Sequence, residues 1–249
     1  MSDFVSRIGV QSYCFRNFKD NKTVAQMVRD CGLNRIELCA VHANFQQPET
    51  FDEVIGVYRD AGVQIGSIGV EGFAGNEAAD RNRFAFAKKA GAQAISVNFD
   101  ARKFPLSHPV AGKLADEFGI KLAIHNHGGH HWLGNNQMLE CVFETVSPSI
   151  GLCCDTAWAL DAGLDPVAMM EKFSGRLYGI HFKDFTFASN RKSTDVPVGE
   201  GNLDLKAALA LLDRINYQGY AVYEYEGDPT DPIPAVKKCV ANMQAAAAG

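Results

Sequence analysis

The amino-acid sequence predicts one (β/α)8 barrel over residues 1–249. Apolar, strand-like runs recur at intervals of 27–29 residues, and only the last interval is longer, at 43 residues. Helix-like segments separate most of these runs. The runs are continuously apolar rather than alternating, which is typical of parallel strands buried on both faces. Eight strand–helix units in a chain of this length favour a closed barrel.

The strand-like runs divide the chain into regular units, and they begin near Ile8, Arg35, Gln64, Gln93, Lys121, Ile150, Leu177 and Tyr220. The first helix-like segment has an apolar stripe and ends at Gly32, and later segments end at Gly62, Gly91 and Gly119. A doubly wound sheet is the alternative, but it needs no eighth strand. No GxGxxG pattern follows the first strand, so the sequence does not support nucleotide binding.

Composition narrows the class of partner. The chain has 24 basic and 29 acidic residues and a formal charge of −5, with no basic block. This balance argues against binding to nucleic acid or an anionic membrane. No apolar stretch is long enough to cross a bilayer, and residues 1–15 do not look like a secretion signal. The partner is therefore expected to be a small molecule, and a homo-oligomer is left open.

Cysteine usage predicts a cytoplasmic protein. The number of cysteines is odd, seven, and none forms a CxxC pair. Free thiols in a reducing compartment are the simplest interpretation. The cysteines are Cys14, Cys31, Cys39, Cys141, Cys153, Cys154 and Cys239.

Four successive strand-like runs each end in a side chain that can bind a metal. The candidates are His125, Asp155, His181 and Glu224. In a barrel the carboxyl ends of the strands meet at one rim, so these groups are expected to converge. Two imidazoles and two carboxylates suit one divalent cation; Mn²⁺ is preferred, with Zn²⁺, Co²⁺, Fe²⁺ or Mg²⁺ as alternatives.

Several motifs resemble the sugar phosphate isomerase/epimerase family of the xylose-isomerase-like barrel superfamily. They are IGVQSYCF (8–15), IEL (36–38), CCDTAW (153–158), GIHFKD (179–184), VPVGEGNLD (196–204) and VYEYE (222–226). The resemblance implies a single divalent metal held by side chains of strands five to eight. Two positions depart from the family pattern. His125 stands where a glutamate is usual, and Trp158 stands where a histidine is often found.

Acid/base candidates follow from the chemistry that such a metal supports. A metal that polarises a carbonyl makes the adjacent C–H acidic, and loss of that proton gives an enediolate. Glu224 is a candidate base as well as a ligand. Glu37 is expected to offer an unligated carboxylate across the rim, His127 to lie over the substrate, and Lys183 to neutralise a developing oxyanion. A salt bridge at the rim is the alternative role for Glu37 and Lys183.

Aromatic and polar residues near the strand ends are candidates for substrate binding. Aromatic side chains at the rim would exclude water and stack on sugar rings. Glu200, between two glycines in the long last connection, is expected to orient His181 or to contact a sugar hydroxyl. The candidates are Phe15, His42, Trp132, Trp158 and Glu200.

The sequence therefore predicts a metal-dependent enzyme that acts on a keto sugar or cyclitol. The family resemblance favours an isomerase or epimerase. The loss of a carboxylate at position 125 keeps a lyase as the second candidate, either for 3-keto-glycoside elimination or for inosose dehydration. A non-catalytic sugar-binding barrel is the third, but it would not need four converging ligands. A DNA-cleaving relative is disfavoured by the acidic charge balance.

Overall fold

Eight parallel strands close into a barrel in the computed structural model, which describes residues 3–249. Each strand begins within one residue of a predicted start, so the predicted barrel is confirmed. Each strand pairs with the next along the chain, and the last strand pairs with both the seventh and the first. The barrel strands are β1 Gly9–Gln11, β2 Arg35–Leu38, β3 Gln64–Gly72, β4 Ala94–Asn98, β5 Lys121–His125, β6 Ile150–Asp155, β7 Leu177–Phe182 and β10 Tyr220–Tyr223.

Helices surround the barrel, and local sequence signals set their ends. Asp20 accepts a hydrogen bond from the Thr23 amide at the start of the second helix (2.9 Å). Gly91 and Gly119 are in the left-handed conformation at the ends of two helices, as predicted. The helices are α1 Asp3–Ser6, α2 Asn21–Asp30, α3 Phe51–Asp60, α4 Glu77–Ala90, α5 Phe104–Phe118, α6 Asn136–Thr145, α7 Thr156–Asp161, α8 Pro166–Lys172, α9 Leu205–Arg214 and α10 Ile233–Ala248.

The long connection before the last barrel strand forms a hairpin. Strands β8 (Asp184–Phe187) and β9 (Ser193–Val196) pair antiparallel. The Asp184 carboxylate then accepts hydrogen bonds from the amides of Gly199 (3.0 Å), Gly201 (2.9 Å) and Leu203 (3.0 Å). One buried carboxylate therefore fixes the GEGNLD segment.

The interior of the barrel is partly polar, and this layer positions the site. Gln11, Glu37, Ser67, Ser96 and His181 are all buried inside the barrel strands. The seven cysteines are free, and all but Cys141 are buried. Within residues 3–249, no helix is long and apolar enough to cross a bilayer.

Candidate metal centre

The four predicted ligands come together at the carboxyl-terminal rim. His125 and Asp155 are the last residues of β5 and β6, His181 lies in β7, and Glu224 directly follows β10. All four are buried, and one potential ligand atom from each lies within 4.8 Å of the others. The register of the parallel strands produces this convergence, because Asp155 pairs with His181 and the Glu224 amide donates to the Phe182 carbonyl (3.0 Å).

Unpartnered polar atoms indicate that these residues fit a cation. Both ring nitrogens of His125 and Oδ2 of Asp155 are buried and have no hydrogen-bond partner among the described residues. His125 Nε2 lies 3.3 Å from Asp155 Oδ2 and 4.0 Å from Glu224 Oε2. Leaving such atoms unpaired is costly. A divalent cation would satisfy Nε2 of His125 and Oδ2 of Asp155, and the nitrogen and oxygen donors match its preferences.

Asp155 is held so that only one of its oxygens is left for a cation. Oδ1 accepts from the Trp158 amide (2.8 Å) and caps α7. The Asn126 side chain accepts from the Asp155 amide (2.8 Å) and donates to the Asp155 carbonyl (3.1 Å). These contacts fix the backbone and leave Oδ2 facing His125.

His181 lies between two carboxylates. Its Nδ1 is 2.9 Å from Glu224 Oε2, and its Nε2 is 2.9 Å from Glu37 Oε1. Burial alone would lower the pKa of His181, but Cys153 and the carboxylates of Glu37 and Glu224 raise it well above the ordinary value. Because Nε2 faces Glu37, Nδ1 is the nitrogen that remains for a cation beside Glu224.

Glu37 lies beneath His181 and not in the substrate cavity. It is fully buried. Besides His181, Oε1 accepts from Gln11 (2.7 Å) and Ser96 (2.8 Å), and Oε2 accepts from Ser67 (2.6 Å). Burial would raise the pKa of Glu37, but His181 and the hydroxyl donors lower it, so the group is ionised. The expectation that Glu37 faces substrate across the rim was wrong, because hydrogen bonds hold both its oxygens inside the barrel.

Gly69 shows how tightly this layer is packed. Its φ angle is +143°, in the region that favours glycine. A Cβ atom there would lie 1.9 Å from Ser96 Oγ, the hydroxyl that donates to Glu37. The Gly69 carbonyl also accepts from the Gln11 side chain (3.1 Å). A glycine is therefore required for the Glu37 network to form.

Lys183 forms a buried ion pair beside the ligands. Its Nζ lies 2.5 Å from Glu226 Oε1 and 3.1 Å from Asp195 Oδ2. Burial alone would lower its pKa, but Glu224 and the other carboxylates raise it, so the ammonium persists. Burial likewise favours neutral Glu224, yet Lys183 and His181 lower the pKa of that carboxyl below its usual range. Lys183 is thus placed to keep Glu224 ionised, and the predicted salt-bridge alternative is also present.

A cavity of about 400 Å³ opens above the ligands. His125 and Glu224 line it together with Tyr13, His127 and Trp158. The His127 ring lies 4.6 Å from the His125 ring, and burial lowers the pKa of His127 to about 4. At neutral pH His127 is therefore an uncharged group at the cavity wall.

Four of the five candidates for substrate binding do not line this cavity, and one of these four, Trp132, lines a neighbouring cavity instead. His42 is buried, with Nε2 2.9 Å from the Phe18 carbonyl oxygen, and Phe15 is packed in the core. Glu200 pairs with Lys238 on α10 (2.6 Å) and does not touch His181. Phe15 and His42 lie in connections whose backbone turns away from the rim, so their side chains pack against the protein interior and not into the cavity. For residues 12–15 the aromatic that faces the cavity is instead Tyr13.

Several supporting residues were not identified from the sequence. They are Gln11, Tyr13, Ser67, Ser96, Asn126, Asp195 and Glu226. A signal for some of them was available. Gln11 ends a strand-like run, and Ser67 and Ser96 interrupt the apolar residues of two others, so each is a polar residue that calls for a hydrogen-bond partner once buried.

Comparison with known proteins identifies the family. Residues 25–245 match the xylose isomerase-like TIM barrel, so the chain belongs to that family, and the resemblance in its motifs is confirmed. An inosose dehydratase from Clostridium beijerinckii is 27% identical over 138 residues, which are 49% of this chain and 46% of that protein. The chain thus matches about half the length of such curated relatives.

Solved structures share the fold over nearly the whole chain. A probable 3-DHS dehydratase involved in petrobactin synthesis in Bacillus anthracis superposes with a TM-score of 0.75 at 15% identity, covering 96% of this chain and 98% of that one. A 3-keto-D-glucoside 4-epimerase from E. coli superposes with a TM-score of 0.70 at 16% identity, covering 96% of this chain and 99% of that one. At these identities the likeness shows the fold alone.

Proposed function

We propose that this protein is a divalent-metal-dependent lyase that acts on a keto sugar or keto cyclitol. It would remove a proton next to the carbonyl and expel a substituent from the neighbouring carbon. The observation that supports this proposal is the group of four buried ligands, with unpartnered atoms on His125 and Asp155, beneath a substrate-sized cavity. The names of relatives that dehydrate or epimerise sugars and related rings agree with it.

Each part of the chemistry has a residue suited to it. His125, Asp155, His181 and Glu224 would hold the cation. When bound, the cation would supply the positive charge that makes a C–H beside a carbonyl acidic. Glu224 lines the cavity and is ionised, so its carboxylate is the candidate base. The C–H electron pair forms the new C=C bond, and the β C–O bond breaks. The leaving oxygen takes up a proton and departs as water or an alcohol.

Elimination is favoured over epimerisation because, among the described residues that line the cavity, Glu224 is the one carboxylate that is not paired with a lysine. Epimerisation needs a second group to return the proton from the opposite face of the ring. Glu37 is buried below His181, and Glu226, which lines the cavity, is paired with Lys183. An isomerase or epimerase is the second candidate, and the observation in its favour is the uncharged His127 at the cavity wall.

Product analysis in deuterium oxide separates the two reactions. Protein reconstituted with Mn²⁺ would be incubated with inososes, 3-keto-glycosides and ketohexoses. A lyase should give a conjugated enone and release water or an alcohol. An isomerase or epimerase should keep every substituent and gain deuterium at carbon. Absence of both outcomes with every substrate, in protein that holds one metal per chain, would overturn the proposal.

Two histidine variants sharpen this experiment. His127→Gln should lower an elimination rate only slightly, but it should lower an epimerisation rate by about 10²–10⁴-fold if His127 returns the proton. His130→Gln is the matched control, because His130 is exposed and lies outside the cavity. A large loss of elimination in His127→Gln alone would assign His127 a direct part in the lyase reaction.

A further inference from the structure

A second cavity adjoins the one above the metal ligands. It has a volume of about 810 Å³ and shares Val70 and His127 with the cavity of about 400 Å³. The two cavities therefore border each other, with Val70 and His127 in the wall of both. None of the four ligands lines the larger space. The reaction described above uses only the smaller one.

The volumes of the two cavities bear on whether the substrate has one sugar ring or two. Ligand sites typically measure about 300–1,000 Å³. The smaller cavity is near the lower end of that range, enough for a single sugar ring. A substrate confined to it would leave the larger space to solvent. A second ring joined to the first would fill both.

The walls of the larger cavity are suited to an uncharged ring. Trp132 lines it, with its Nε1–H already donated to the Phe99 carbonyl (2.7 Å), so its indole contributes an apolar surface. Arg102 also lines it but lies 3.5 Å from Asp100, and Glu71 lies 2.8 Å from Arg83. Lys103 lines the wall as well, so the formal charges of its two acidic residues, Glu71 and Asp100, and its two basic residues, Arg102 and Lys103, cancel, and a phosphate or carboxylate is not the favoured occupant.

We infer that the substrate is a keto-glycoside whose oxidised ring occupies the metal-site cavity and whose uncharged sugar aglycone occupies the cavity lined by Trp132. This inference rests on the proposed function and specifies its substrate class. The base removes the proton next to the ketone, the glycosidic C–O bond breaks, and the aglycone oxygen takes up a proton. The products are an unsaturated keto sugar and the released aglycone sugar, which now carries a free hydroxyl group. No net oxidation or reduction takes place.

The two tryptophans of the chain allow each cavity to be observed separately. Trp158 lines the metal-site cavity and Trp132 lines the larger one. In Trp158→Phe the remaining fluorescence reports on the larger cavity, and in Trp132→Phe it reports on the metal site. Both Mg²⁺-loaded variants would be mixed rapidly with 3-keto-glucose or 3-keto-cellobiose, and emission would be read before turnover. Circular dichroism would establish that both variants fold.

The expected result is a change at Trp158 with either sugar and a change at Trp132 only with 3-keto-cellobiose. A response of Trp158 without any response of Trp132 would overturn the two-ring inference and leave the proposed function standing. An equal response of Trp132 to both sugars would also overturn it. Silence at both tryptophans would count against the proposed substrate class and the inference together.

A filling substitution gives an independent test. Ala101 is exposed and lines the larger cavity, so Ala101→Phe should narrow it. We expect kcat/KM for 3-keto-cellobiose to fall at least about tenfold, while that for 3-keto-glucose stays unchanged. Ala245→Phe, at an exposed position on α10, is the matched control. An equal loss for both sugars, or no loss for either, would contradict the assignment.

Discussion

The two halves of the barrel rim contribute to the candidate centre in different ways. Strands β5, β6, β7 and β10 carry the four potential ligands. Strands β1 to β4 contribute a hydrogen-bonded layer beneath them, made of Gln11, Glu37, Ser67 and Ser96. His181 joins the two halves, because one ring nitrogen faces Glu224 and the other faces Glu37. The strand that carries it, and not residue type, separates a potential ligand from a supporting residue.

The difference shows in how each carboxylate is satisfied. Both oxygens of Glu37 accept hydrogen bonds from neighbouring side chains. In the ligand half, Asp155 Oδ2 and both nitrogens of His125 have no partner among the described residues. A substitution in the ligand half should therefore remove a bond to the cation. A substitution in the supporting half should only loosen the orientation of His181.

The largest effect is expected from substitutions in the ligand half. Asp155→Asn keeps the acceptor that caps α7 but removes the charge, and Glu224→Gln removes the charge next to His181. Affinity for Mn²⁺ should fall by more than about 100-fold in each variant. Substituting even a residue that only hydrogen-bonds to a metal ligand lowers metal affinity by about 10–100-fold. Titration calorimetry and elemental analysis measure this. Glu226→Gln, in the same cavity but outside the ligand set, should retain the metal.

Wild-type metal content in both Asp155→Asn and Glu224→Gln would contradict the ligand assignment. Loss of metal in only one of them would show that the cation uses fewer side chains than the four that converge here. Either result would remove the distinction between the two halves.

A smaller effect is expected from Glu37→Gln. The variant should weaken metal binding by about 10–100-fold, because the Nε2–H of His181 loses a charged acceptor. Turnover should then return to nearly the wild-type value at saturating metal. If Glu37 were instead an acid/base group, turnover at saturating metal would stay about 10²–10⁴-fold low. Ser67→Ala removes one donor to Glu37 and should change metal affinity in the same direction, but less.

The strand ends could be predicted from the sequence, whereas the roles of Glu37 and Glu200 could not. Strand order places the carboxyl end of each parallel strand at one rim, so the convergence of His125, Asp155 and His181 followed from the pattern of apolar runs. Glu37 also ends an apolar run, but a shift in register between β2 and β3 occurs beside it and it points into the barrel. The position of Glu200 depends on a loop that is held by hydrogen bonds to the Asp184 carboxylate, and Asp184 lies well before that loop in the sequence.

The third test measures how far the ligand half depends on its buried charges. Lys183 is 1% exposed and pairs with Asp195 and Glu226. Lys183→Gln would leave those two carboxylates without the positively charged ammonium group that pairs with them. Breaking a buried pair costs about 3–5 kcal/mol, and because Glu226 is about one-third exposed we expect about 2–3 kcal/mol of lost stability. Urea unfolding measures it. An unchanged midpoint would show that solvent satisfies this pair.

The smallest effect is expected outside both halves, at Glu200. Its carboxylate pairs with Lys238 on α10, and the two side chains are 34% and 55% exposed. Such pairs contribute at most about 1 kcal/mol, so Glu200→Ala should shift the urea midpoint only slightly. Metal affinity and turnover should match the wild type, because Glu200 touches neither His181 nor the cavity. Lys238→Ala should give the same small shift in stability. A loss of turnover in Glu200→Ala, with turnover of Lys238→Ala unaffected, would contradict this expectation. It would place Glu200 in contact with substrate and make the GEGNLD segment part of the substrate-binding site.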